Sequence, residues 1–411
     1  MKILPISVQT DLSATKAIAV VLMVLSLSGT SGWIQQLGLL GGLPLLFAGM
    51  GYCMEDGKNY GDYLLQLFKK VYVPFVIWSV VFVILHTPLH YLGLTGGGPF
   101  SLHETGQRCW EIVFSLCGYD ENLCALYWVF RAMLFSGIGF IGLYLLWSSV
   151  FKDWSVQARS LGVLVTVWLI FICQIGMGWV IPAIDGGGHR ELFGVVLVAA
   201  GFLLRQQTAA ICRFQLWVLM GSVVTIVLSL VFLRVDLLAL PDFWTSVWMV
   251  LPMLAFFMLS QFFSVLVGRM PAWFGRAFRF VGNHALLVVG FCLLSFKLVS
   301  LLKVVTGQMN WEGMSAGFVM PDSNSGWFFS FLYLLVGIGG PLGGVLLWRK
   351  ADTRYNLTWT NCLKYSLKGL ILAFVWSVKL ILKFFKGAWN VLKETAKDAK
   401  GMLKASNPNE E

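Results

Sequence analysis

The sequence predicts an all-α, polytopic membrane helix bundle, and three observations carry that expectation. Apolar side chains make up 58% of the 411 residues and charged ones only 12%, more hydrocarbon than a water-soluble core of this length needs. Runs of eighteen or more residues without Asp, Glu, Lys or Arg recur along the chain, the length at which a helix crosses a bilayer. The basic residues fall in alternate connecting segments, as they do when one side of the membrane is cytoplasmic.

About ten spanning segments are expected, near 13–33, 34–54, 71–93, 125–150, 160–182, 191–206, 214–233, 243–268, 283–304 and 326–348. The sixth is short, and its boundaries are soft by a few residues. With the N-terminus inside, the inner segments hold Lys2, Lys58, Lys69, Lys70, Lys152, Arg159, Arg205, Arg213, Arg269, Arg276, Arg279, Arg349, Lys350 and Arg354, whereas the outer loops hold Arg108, Arg190 and Arg234. That bias predicts an N-in, C-in topology. The first apolar stretch is too long for a cleaved signal and lacks a small-residue cleavage site, so it is expected to stay as an anchor. The membrane-embedded core is read as residues 1–350 and the tail as 351–411.

The net charge of +10 follows from the inner-loop bias and a lysine-rich tail, and it gives no reason to invoke nucleic acid. Eight cysteines include no Cys-x-x-Cys pair. Cys109, Cys117 and Cys124 fall in the expected outer loop between the third and fourth spans, where a disulfide and free thiols are both open and a metal site is not expected. In the tail, Lys364, Lys368, Lys379, Lys383, Lys386, Lys393, Lys397, Lys400 and Lys404 are spaced 4, 11, 4, 3, 7, 4, 3 and 4. At about 100° per residue they fall on an arc of roughly 100°, opposite Leu367, Leu370, Ile371, Phe374, Ile381 and Phe385. An amphipathic helix on the cytoplasmic leaflet is expected, with anionic lipid as its partner and a docking protein as the alternative.

Several segments, in order, carry a resemblance. Lys16 is followed after ten residues by Leu27; Leu46–Tyr52 ends in Met50-Gly51-Tyr52; Lys69-Lys70 leads to Pro74 and Trp78; Tyr127-Trp128-Val129-Phe130-Arg131 opens the fourth span; and Gly282-Asn283-His284 leads to Val289 and Cys292. Together they resemble the acyltransferase-3 family of integral membrane acyltransferases over roughly residues 14–348. The departures fall on positions that carry chemistry in that family. Lysines stand at Lys16 and Lys70 where arginine is usual, Met50 replaces serine, Val289 replaces tyrosine, and Leu27 and Cys292 stand where histidines are usual.

The resemblance implies transfer of an acyl group, often acetyl, from cytoplasmic acyl-coenzyme A to a hydroxyl or amine of an extracytoplasmic glycan or glycolipid. It implies a multi-pass protein, here expected in a bacterial inner membrane. It makes Lys16, Lys69 and Lys70 candidates for the coenzyme A phosphates, each also explained by snorkelling or the inner-loop bias. Trp128 and Arg131 become candidates for an acceptor sugar; the plain alternative is a structural pair between Arg131 and Glu111, Asp120 or Glu121.

Leucine accepts no proton, so the nominal base position at Leu27 is empty of base chemistry. His189, in the polar segment Asp185–Glu191, and Cys292 are the candidates to replace it. His86 and His90 are read as outer-interface residues, His103 as loop, and His284 as the start of the ninth span. Lys303 is expected to snorkel outwards, and Lys297 to face the bundle interior. Two further readings compete with an active enzyme: a catalytically inactive descendant serving as an accessory subunit, and a lipid or small-molecule carrier.

Overall fold

The computed structural model describes residues 12–30, 32–57, 60–120, 122–181, 184–233, 242–316 and 326–355. The lysine stripe of the tail lies outside these residues, as do Lys2, Lys58, Glu121 and Arg234. Contacts divide the chain into two compact units, 1–343 and 344–411, so the division falls inside the last described helix, Gly326–Tyr355.

Among the described residues every regular element is a helix. The chain begins with α1 (Ser13–Leu27), α2 (Trp33–Gly41), α3 (Leu43–Tyr52) and α4 (Tyr60–Leu67). A π-helical turn, Phe68–Tyr72, joins α4 to α5 (Val73–Tyr91), and α6 (Leu102–Ser115) follows. The middle of the chain forms α7 (Trp128–Val150), α8 (Val156–Met177), α9 (His189–Gln206), α10 (Thr208–Arg213) and α11 (Gln215–Phe232). The last group is α12 (Phe243–Trp248), α13 (Val250–Arg269), α14 (Ala272–Asn283), α15 (Ala285–Val305) and α16 (Gly326–Tyr355).

Among the described residues eight helical stretches are long and apolar enough to cross a membrane: 33–52, 60–91, 128–150, 156–177, 215–232, 243–269, 285–305 and 327–350. The described residues therefore form a multi-pass helical membrane bundle. The lipid-facing surface is visible as exposed apolar side chains, including Ile77, Ile84 and Leu85 of α5 and Leu216, Trp217, Val224 and Val227 of α11. Two expected spans behave differently. α1 has 15 residues, about 22 Å of helix, which is short of a hydrocarbon core of about 30 Å. α9 begins with His189, Arg190 and Glu191 and ends near Arg205.

Two connections read as loops are helical. Ser101 accepts a hydrogen bond from the Glu104 backbone N–H and starts α6, a capping arrangement that the spacing Ser-x-x-Glu encodes. α6 carries the i,i+4 pair Glu104–Arg108 and buries Ile112, and it includes His103. α14 holds Arg276 and Arg279 on an amphipathic helix that packs against α1.

Close backbone packing brings α3 against α9. A β-carbon on Gly51 would collide with the Val198 carbonyl, and one on Gly201 with the Ala48 carbonyl. Small residues at such crossings let helix backbones approach in a lipid environment, where apolar burial alone does not drive association. Gly201→Val is expected to lower stability by about 1–3 kcal/mol through overpacking. Gly142→Ala, where an added methyl meets no atom within 4 Å, should leave it unchanged. Thermal unfolding in detergent compares them, and equal melting temperatures would contradict the packing argument.

Candidate functional site

A cavity of about 850 Å³ gathers the basic residues singled out by the sequence. Lys16 comes from the first turn of α1, Lys69 and Lys70 from the π-helical turn, and all three line it. The turn interrupts an otherwise continuous 32-residue stretch, 60–91. Such π-bulges locally widen a helix and often sit at functional sites. Here the turn is anchored by the Tyr72 hydroxyl donating to the Val113 carbonyl at 2.7 Å and by stacking of Phe68 on Tyr72 at 4.4 Å.

The opposite wall is the start of α15. Ala285, Leu286 and Leu287 line the cavity, and the first intrahelical bond runs from the Val288 N–H to the His284 carbonyl at 3.1 Å. The C-terminal end of α14, Gly282 and Asn283, meets it there and lines the same cavity. His284 lines the cavity too, and its Nδ1 donates to the Phe280 carbonyl at 2.8 Å, which assigns the lone pair to Nε2 in the neutral ring. No Asp or Glu is among the described lining residues. Three lysines bordering one cavity give it a positive field that favours an anion.

The other end of the cavity is aromatic. Trp78, Tyr127, Phe130 and Phe291 line it, and Trp78 meets Phe291 edge to face at 4.8 Å. The cavity therefore runs from a cationic mouth to an apolar end, a division suited to a ligand with a charged head and an uncharged arm.

Leu27 stands outside this arrangement. It is the last residue of α1, packs against the core and is absent from the cavity lining. Eleven residues beyond Lys16, it lies about 16 Å further along the helix axis. Cys292 does not line the cavity either: it is fully buried, with its Sγ 3.7 Å from the Val289 carbonyl. His189 is buried at the first turn of α9, following a 3₁₀ turn at Asp185–Gly188, so the expected loop is largely helical. The histidine that reaches the cavity is His284.

Trp128 and Arg131 face a different neighbour. Arg131 is 1% exposed, and its Nε donates to Glu191 Oε1 at 2.8 Å. Its Nη1 lies 3.6 Å from the Cys117 Sγ. The Ser136 hydroxyl donates to the Glu191 carbonyl, and the Arg190 guanidinium stacks 4.6 Å above the Trp128 ring. Among the described residues Arg131 pairs with Glu191 rather than with Glu111 or Asp120, and Glu121 lies outside them. Glu111 instead accepts from Gln107 Nε2 at 2.9 Å. Asp120 binds His86, and its Oδ1 accepts the Asn122 and Leu123 backbone N–H groups. Sequence separation hid the Glu191 pairing; the start of α9 lies beside α7 only in the folded bundle.

Further buried charges are also engaged. His86 Nδ1 lies 2.5 Å from Asp120 Oδ2 and its Nε2 lies 3.1 Å from the Gly98 carbonyl. Lys297 faces the interior and donates to the Met314 and Ala316 carbonyls at 2.6 and 2.5 Å. Lys303 does not snorkel: it is 4% exposed and sits 5.4 Å over the Phe329 ring. Cys109, Cys117 and Cys124 are free thiols. Burial pushes the Cys109 thiol up, and burial followed by the nearby Asp120 charge pushes Cys124 well above the usual thiol range. Both are held as neutral thiols at neutral pH.

No protein-family model, curated protein or solved structure matches the chain.

Breaking the buried pair with Arg131→Met should cost about 3–5 kcal/mol, because it strands the Glu191 carboxylate. The double variant Arg131→Met/Glu191→Met should recover most of that loss. Denaturation of wild type, Arg131→Met, Glu191→Met and the double variant in one detergent measures the coupling, and additive losses would show that the two side chains do not depend on one another.

Proposed function

We propose that the protein is an integral-membrane acyltransferase of the acyltransferase-3 type. In this reading it takes an acyl group, acetyl being the simplest, from cytoplasmic acyl-coenzyme A and passes it to a hydroxyl of an extracytoplasmic glycan or glycolipid. It has about ten membrane segments with both termini on the cytoplasmic side of a bacterial inner membrane. Lys16, Lys69 and Lys70 hold the phosphates, and Trp128 and Arg131 belong to the acceptor side. The single observation that supports the donor assignment is that these three lysines share one cavity, with no carboxylate among its described lining residues.

The reaction balances without a cofactor beyond the donor. The acceptor oxygen forms a bond to the acyl carbon, the carbon–sulfur bond breaks, and the hydroxyl proton ends on the coenzyme A sulfur. A thioester is already activated, so holding donor and acceptor in register supplies much of the acceleration. The cationic mouth binds the anionic donor, and the aromatic end keeps water from the thioester.

A second reading is favoured by one observation. Leu27 offers no base, and neither His189 nor Cys292 lines the cavity. On that reading the chain binds donor but serves as an accessory subunit of a membrane complex. Donor binding with no acyl transfer to any glycan acceptor, together with a partner purifying at fixed stoichiometry, selects it.

The first test is thermal stability of the purified protein against acetyl-coenzyme A and coenzyme A. Ligand at one hundred times its Kd should add about 2.7 kcal/mol. Lys16→Ala and Lys69→Ala/Lys70→Ala should each weaken the affinity by about tenfold or more, the scale of a lost charge-assisted contact. Lys152→Ala, outside the cavity lining, should not. A saturable shift that all these variants retain would remove the cavity from the donor assignment.

A further inference from the structure

The apolar end of the cavity contains one feature that donor binding by the lysines does not use. Two residues with a hydroxyl line the cavity, Tyr63 and Tyr127. Tyr63 belongs to α4, on the chain before the lysine-bearing turn, whereas Tyr127 directly precedes α7 and lies among the aromatic residues. A β-carbon on Gly290 would lie 3.5 Å from the Tyr127 hydroxyl oxygen. Gly290 is six residues beyond His284, so the phenol sits about 9 Å further along α15 than the cationic mouth. A ligand whose anionic head occupies the mouth carries its other end towards this hydroxyl.

The ring is held on several sides. Its centroid lies 6.0 Å from Phe75, 6.3 Å from Phe82, 6.3 Å from Tyr119 and 5.3 Å from Phe130. Tyr127 is 1% exposed, and a side chain so enclosed loses little further freedom when it binds a ligand. Its polar atom borders the cavity beside the Cys124 thiol, its side-chain hydrogen-bond partner and a weak acceptor that a ligand carbonyl can displace, while its apolar body fills the wall. This is the arrangement of a preorganised hydrogen-bond donor in a water-poor site.

We propose that the Tyr127 hydroxyl donates a hydrogen bond to the carbonyl oxygen of the acyl group, recognising the acylated donor over the free thiol and stabilising the oxyanion during transfer. This rests on the donor reading given above. The phenol keeps its proton throughout. As the acceptor oxygen bonds to the acyl carbon, negative charge moves onto the carbonyl oxygen and strengthens the hydrogen bond. When the carbon–sulfur bond breaks the carbonyl re-forms, and the acceptor proton ends on sulfur. Tyr127 is then a catalytic residue that differs from Lys16, Lys69 and Lys70 in reading the acyl group rather than the phosphates.

The test measures affinities of the full-length protein for acetyl-coenzyme A and coenzyme A in wild type, Tyr127→Phe and Lys16→Ala. Wild type should prefer the acetylated form by roughly two- to tenfold, the worth of one neutral hydrogen bond. Tyr127→Phe should abolish the preference while leaving coenzyme A affinity within about twofold, and Lys16→Ala should weaken both ligands alike and keep the preference. A preference retained in Tyr127→Phe, or absent from wild type that binds both ligands, overturns the Tyr127 inference and leaves the donor reading standing. Wild type that binds neither ligand overturns both. Infrared spectroscopy of bound acetyl-coenzyme A, carbon-13 labelled at the carbonyl, supplies a readout on unmutated protein. A downshifted carbonyl stretch is expected, and a frequency equal to that in an apolar solvent also overturns the inference.

Discussion

A charge placed inside a membrane bundle must be paired, hydrogen-bonded or opened to water, because an isolated ion in a low-dielectric interior is too costly to keep. The buried charges follow this constraint closely. Arg131 has Glu191, His86 has Asp120 and the Gly98 carbonyl, Lys297 has two backbone carbonyls, and Lys303 sits over Phe329. Arg205 pairs with Glu55 and donates to the Tyr52 carbonyl at 3.0 Å. Lys16, Lys69 and Lys70 meet the constraint by exposure instead: Lys69 and Lys70 are exposed, Lys16 is half-buried, and all three border a cavity whose described lining includes no carboxylate. Under the proposed function this cavity attracts an anion.

Helix α7 connects that electrostatic feature to the packing. Phe130 and Met133 line the cavity, while Arg131 and Ser136 bind Glu191 of α9. With about 100° between successive residues, neighbouring positions serve opposite duties on one helix. The Arg131–Glu191 pair therefore fixes the rotation of the helix that forms a cavity wall. Close contact of α3 with α9 at Gly51 and Gly201 supports the same layer from the other side. Arg131 reaches the candidate site through α7 rather than by touching a donor in the cavity.

The class of the fold was legible because hydrocarbon length is a one-dimensional property of the chain. The basic wall was legible in part, since Lys16 and Lys69-Lys70 stand at marked positions in an otherwise apolar pattern. Their convergence was not, because it depends on a π-helical turn at Phe68–Tyr72 that no residue type announces. Glu191 was equally hidden, being 60 residues from Arg131 in sequence. Tyr127 directly precedes the Trp128–Arg131 signal, yet only its placement against Gly290 gives its hydroxyl a role to examine. Helices α6 and α14 were missed for a simpler reason. Their polar residues suggested connections, and an amphipathic helix alongside a bundle is polar on one face by construction.

Position 27 looks different once the cavity is located. The resemblance expects a histidine at position 27, which stands about 16 Å from Lys16 along α1 and is absent from the cavity lining. Under the proposed function, recognition of an anionic donor and provision of a base would be separable, the first at Lys16 and the second at the other end of the same helix. A lysine at position 16 carries the charge but lacks the planar, bidentate grip of arginine on a phosphate. At the other end, the hydrophobic Leu27 joins the packed core. Under the proposed function, catalysis in this chain leans on registration of an activated thioester and on hydrogen bonding at its carbonyl. A strong general base beside the acceptor is not part of that design.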